Sequence, residues 1–149
     1  MPEQSSPPPT LKVVVYSDDA SVRESVRLGL GRRPAADLAA IEYVDVATQW
    51  AVMQAVHAGD VDLVILDGEA APSGGLGVCR TMKEEVFQAP PVLALLGRPQ
   101  DQWLAAWARV DAVAHHPINP FALTEAATAL LRATLRAKAA RAGDVATTA

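Results

Sequence analysis

Cys79 is the single cysteine of this 149-residue chain, so no internal disulfide can form, and a reducing, cytoplasmic setting is expected. No apolar run approaches the roughly 18 residues that a membrane span requires. The start, MPEQSSPPPT, lacks the cationic residues and apolar stretch of a secretion signal. No transmembrane segment is expected, which leaves room for a partner that is itself membrane-bound. Basic charge is short too: 13 Lys and Arg stand against 17 Asp and Glu, for a net charge of -4. That balance excludes a protein whose main task is neutralising nucleic-acid phosphates, and no direct nucleic-acid binding is expected. A phosphate-cradling glycine loop is missing after the first strand-like run, where YSDDAS stands instead. This argues against a flavodoxin-like enzyme or nucleotide binder.

What is present is apolar and periodic. Half of the residues are hydrophobic, enough for one domain with its own core. Residues 1–10 are polar and proline-rich and read as a disordered tail, residues 11–140 as the domain, and residues 141–149 as a flexible C-terminal tail. Within the domain, strand-like and helix-like segments alternate. KVVVYS is followed by SVRESVRLGLGRR, AIEYVDVA by TQWAVMQAVHAG, DLVILD by GVCRTMKEEV, PVLALL by DQWLAAWARV, and AVAHH by a helix from Phe121 to about Ala140. Pro34, Gly59, Gly74, Gly75 and Pro99 fall between segments, where they interrupt least. Five strands each followed by a helix predict an α/β, flavodoxin-like, doubly wound parallel sheet of order 2-1-3-4-5 with helices on both faces.

Such sheets work at the carboxyl ends of their strands. Asp67 ends the almost wholly apolar run VDLVILD, and Ser17, Asp18 and Asp19 end the first strand. Strands one and three are neighbours in the expected order, so these acids should approach one another. Carboxylates that close repel unless a cation lies between them, and a hard ion such as Mg²⁺ suits the set. The bland reading gives Asp19 or Ser21 the task of capping the following helix.

These residues resemble the receiver domains of response regulators, the CheY-like fold, over Leu11 to about Leu131. The likeness rests on the acids after strand one followed by Arg23, on Asp67, on Gly75-Leu76 and Cys79-Arg80, on Pro91-Val92, and on Pro117 and Pro120-Phe121. It implies that Asp67 is a phosphoacceptor served by a histidine kinase. It also implies Mg²⁺ held by Asp18, by Asp67 and by the backbone carbonyl of Glu69, with Asp19 a further acid for the pocket to recruit. Ser17 stands where the family's first acid belongs, which leaves occupancy by the ion open.

The family's switch is thinned out. Its strand-four hydroxyl position holds Leu96, its strand-five aromatic position holds Val113, and its lysine position holds His116. A lost hydrogen bond to a charged group removes about 1.5–3 kcal/mol. Driving a two-state switch from off to on takes about 5.5 kcal/mol. His115 and His116 read most simply as a polar strand end, with His116 able to stand in for the lysine when protonated. Trp103 and Trp107, spaced i,i+4, together with Arg132 and Arg136, offer a partner face; solvated helix surface is the plainer reading of the arginines.

The sequence therefore expects no enzyme. It points to a stand-alone atypical receiver that acts mainly as a protein–protein interaction module or accessory subunit of a larger assembly. The alternative is a phosphorylation-dependent single-domain regulator whose partner is a histidine kinase.

Overall fold

The computed structural model describes residues 9–147, with side chains described as far as Gly143. Five parallel strands, β1 (Leu11–Tyr16), β2 (Ile41–Val46), β3 (Leu63–Asp67), β4 (Val92–Leu96) and β5 (Ala112–His115), form one sheet in the order β2-β1-β3-β4-β5. The expected order holds. The helices are α1 (Ala20–Leu30), α2 (Gln49–Ala58), α3 (Gly75–Glu85), α4 (Gln102–Ala108) and α5 (Pro120–Thr147), with a single 3₁₀ turn, Pro99–Asp101, before α4.

Each strand is rich in β-branched and other large apolar residues, and burial follows the two-residue alternation of a pleated strand. Val13, Val15, Ile65, Leu93 and Leu95 pack with Val26 and Leu30 of α1 and Leu123 and Leu131 of α5. Val14, Tyr16, Val64, Leu66 and Val92 pack on the other face with Val52 and Val56 of α2 and Val78 and Met82 of α3. Every residue of β3 and β4 is buried. Each such Val, Leu or Ile contributes about 1.5–3 kcal/mol on leaving water, so the sheet's centre is the least deformable part of the molecule.

Local signals set the helix ends. Asp19 caps α1 by accepting from the Ser21 backbone N–H at 2.8 Å, so the capping reading of Asp19 is the one realised. Thr48 does the same for α2, and Gly59 ends that helix with φ +89°, a conformation that glycine adopts without a Cβ penalty. The last helix departs from its expected end near Ala140: α5 continues to Thr147, so the backbone of residues 141–147 is helical. Lys138 and Arg141 give a reason, bonding Asp62 and Gln88 and holding this part of the helix against the amino ends of β3 and β4. Of the expected N-terminal tail, residues 1–8 lie outside the described residues, as do residues 148–149 of the C-terminal segment.

Candidate functional site

Strand register assembles the site. The last paired position of β1 and β3 is Tyr16 with Leu66, so the next residues, Ser17 and Asp67, emerge side by side at the carboxyl edge of the sheet. Both are buried, and the Ser17 hydroxyl donates to Asp67 Oδ2 at 2.7 Å. The direction of that bond is fixed from the other side. The Asp19 backbone N–H donates to Ser17 Oγ at 3.0 Å, which leaves the hydroxyl proton to Asp67. Arg23 Nη1 donates to the Ser17 carbonyl, tying α1 to the same corner.

The second oxygen of Asp67 is also engaged. Oδ1 accepts the Glu69 backbone N–H at 2.9 Å and lies 2.9 Å from His116 Nε2. A carboxylate buried to this degree needs such partners. Gly75, the first residue of α3, lets that helix begin directly behind the acid: a Cβ there would sit 2.7 Å from the Asp67 carbonyl oxygen. On the β4 side, the Glu69 side chain lies across Gly97, where a Cβ would fall 2.5 Å from Glu69 Oε1. Tyr16 anchors the loop after β3 through a bond from its hydroxyl to the Ser73 carbonyl. Burial, then the charges of Asp18 and Asp67, push its phenol above the ordinary tyrosine range.

The outcome is a cleft of about 350 Å³ lined by Asp18, Asp19, Val22, Asp67, Glu69 and His116. It brings together the acids singled out in the sequence, but not as a shared cation cage. The Asp19 carboxylate turns back onto its own helix, bonding the Ser21 N–H and hydroxyl, and those bonds hold it below the usual carboxylate range. Both Asp67 oxygens already accept from protein donors. Among the described residues no three His, Cys, Asp or Glu side chains are grouped as a metal site requires. A divalent ion of the Mg²⁺ kind takes one or two carboxylates and keeps several waters. The carboxylates open to one here are the exposed ones of Asp18 and Glu69, while Asp67, the central acid, has both oxygens engaged and does not fit that role.

Two of the three positions expected at the switch hold apolar side chains. Leu96 is buried against Ala94 and Ala105, and Val113 packs at the edge of the same cluster, so the route outward from the acid is apolar. His116 is not the idle strand end of the plainer reading, since it faces Asp67, whereas His115 is exposed. Cys79 is a buried packer; burial pushes its thiol up to about 11.

Four residues named as one partner face are divided between layers. Arg132 makes a two-pronged bond to Asp37 in the loop before β2, on the α1 side of the sheet. Trp107 lies under the Arg80 guanidinium of α3, 4.6 Å from ring centroid to cation, on the opposite side. Arg136 follows Arg132 by one helical turn and is exposed; Trp103 is 68% exposed. Sequence reasoning missed Asp62, which is buried and accepts both the Lys12 backbone N–H and Lys138 Nζ. Its place just before β3, in VDLVILD, gave no sign of that role.

No protein-family model matches the chain. Two response regulatory proteins, both uncharacterized, from Mycobacterium tuberculosis strains CDC 1551 and H37Rv, are each 44% identical over 133 residues, covering 89% of this chain and 98% of theirs. The chain belongs to the response regulators. Solved receiver-type structures share its fold. The chemotaxis response regulator CheY4 of Vibrio cholerae superposes with a TM-score of 0.68 at 18% identity over 82% of this chain and 99% of that one. The receiver domain of the Francisella response regulator 1452 gives 0.70 at 14% identity, over 84% and 99%. The five-stranded order is therefore that of a receiver domain.

Proposed function

We infer that this receiver works mainly as a protein-interaction module, an accessory or regulatory subunit of a larger assembly, with a degenerate phosphorylation switch. The observation that carries the reading is the pairing of an already engaged acceptor with a silent relay. Asp67 already accepts from Ser17, Glu69 and His116, while Leu96 and Val113 offer no hydroxyl and no aromatic ring to move. Phosphate at Asp67 would lack the strand-four donor, worth about 1.5–3 kcal/mol, against the roughly 5.5 kcal/mol that a switch consumes. A binding role needs none of this. Trp103, standing out from α4, is an exposed aromatic of the kind that a protein partner would cover. Among the described residues no helix is long and apolar enough to cross a membrane.

One observation favours the second reading, in which a histidine kinase phosphorylates Asp67 and the domain responds: His116 sits on Asp67 where the family carries its lysine. Incubation with a small phosphodonor, read by intact mass and by backbone amide spectra, separates the two. The interaction reading expects slow or no gain of one phosphate and, with a beryllofluoride mimic, amide shifts confined to the cleft. Prompt phosphorylation abolished by Asp67→Asn, with shifts spreading through β4, α4, β5 and α5, would establish the second.

A further inference from the structure

A hard divalent ion selects sites by the number of anionic oxygens that present lone pairs. At this corner of the sheet the polarity is reversed. Ser17 Oγ accepts from the Asp19 N–H and so turns its proton toward Asp67 Oδ2. The Glu69 N–H and His116 Nε2 converge on Oδ1 from two further directions. Two oxygens carry about four lone-pair sites, and three are in use. Asp19 is spent on Ser21. Of the acids lining the cleft, Asp18 and Glu69 keep exposed carboxylates that accept from no neighbouring donor.

We propose that Ser17 and His116 stand in for the divalent ion: they offset the charge of Asp67 by direct hydrogen bonds, so the cleft is complete without a metal, and Ser17 is the residue that excludes one. The converging N–H and O–H dipoles supply positive potential inside a buried site, where such dipoles act strongly. This goes beyond the interaction role, which would hold equally for a receiver that bound Mg²⁺.

The probe is Mn²⁺, added substoichiometrically to the ¹⁵N-labelled full chain, with Mg²⁺ as competitor. For the native sequence, the amide signals of Asp18, Gly68 and Glu69 should lose no more intensity than those beside isolated surface acids such as Glu24. Ser17→Asp replaces a donor by a carboxylate and should bind Mn²⁺ at least about tenfold more tightly, because affinity at such sites follows ligand charge. Should Ser17→Asp unfold for want of a counter-charge, recovery of its folded spectrum on adding Mg²⁺ counts as the same gain. Selective, Mg²⁺-reversible broadening of the Asp18, Gly68 and Glu69 signals in the native chain would overturn the proposal, whatever the variant does. A folded Ser17→Asp chain with unchanged Mn²⁺ response would remove Ser17 as the excluding residue. Neither failure touches the interaction role, which is read from mass and amide shifts with phosphodonor and mimic.

Discussion

Asp67 and His116 meet at 2.9 Å across 49 residues of chain. The contact joins the end of β3 to the loop after β5, across β4, and so ties the sheet's centre to its outermost strand. The Asp67 side chain is 4% exposed and that of His116 23%, so the contact has one buried partner and one that is partly open to solvent.

Removing the hydroxyl at the other oxygen tests the buried half of the network. Ser17→Ala leaves Asp67 Oδ2 in a dry corner without its donor, and the loss is expected at about 1–3 kcal/mol, the cost of an unsatisfied buried group. Urea denaturation measures it. In a cycle with Asp67→Asn the two changes should be strongly non-additive, since they share one bond; simple additivity would show that the hydroxyl and carboxylate do not interact.

Gly75→Ala should be among the most damaging single changes. The added Cβ meets the Asp67 carbonyl oxygen at 2.7 Å and carbon at 2.8 Å, and these are backbone atoms of a central strand that cannot step aside. Overpacking of this kind costs about 1–3 kcal/mol. The same change should shift the amide signals of Asp67 to Glu69, and a chain of unchanged melting temperature would contradict the close approach of α3 to β3.

Asp62→Ala should loosen the far end of α5. It strips the part-buried Lys12 N–H of its acceptor and frees Lys138, at a cost of about 1 kcal/mol. Hydrogen exchange should quicken from Thr134 to Arg141 while the first turns of α5, packed through Leu123 and Ala127, stay protected. Uniform exchange along the helix would show that Asp62 does not anchor it.

Cys79 gives a pH-dependent signature. Burial raises its thiol from 9.0 to about 11 in the folded chain. The neutral thiol is favoured by folding, so this contribution is whole below about pH 9 and declines as pH rises toward 11, where the unfolded chain has already released its proton. A thiol reagent at pH 8 should label Cys79 only at the rate of unfolding, and rapid labelling of the native chain would place the sulfur at the surface.

The sheet order was legible because the strand periodicity, the apolar runs of β3 and β4 and the punctuating glycines all agreed. Agreement of that kind also placed Asp67 at the working edge. What the sequence could not express was the direction of hydrogen bonds. Ser17 was visible as a missing acid, but that its proton would be steered to Asp67 depends on the Asp19 N–H behind it, a feature of backbone geometry. Asp19 could cap or coordinate, and only the helix start decided it. His116 read as an idle strand end because the side on which a residue just past a strand emerges depends on the following loop. Arg132 and Trp107 seemed neighbours in function, yet the crossover that puts α4 and α5 on opposite faces separates them.

All three tryptophans, Trp50, Trp103 and Trp107, stand at least half exposed, at 72%, 68% and 50%. Their emission should therefore change little when the chain melts, making indole fluorescence a poor thermometer for this protein. A partner that settled over Trp103 would move it into a drier environment and shift its light toward the blue, so the same dye-free signal that is blind to unfolding could time the docking event.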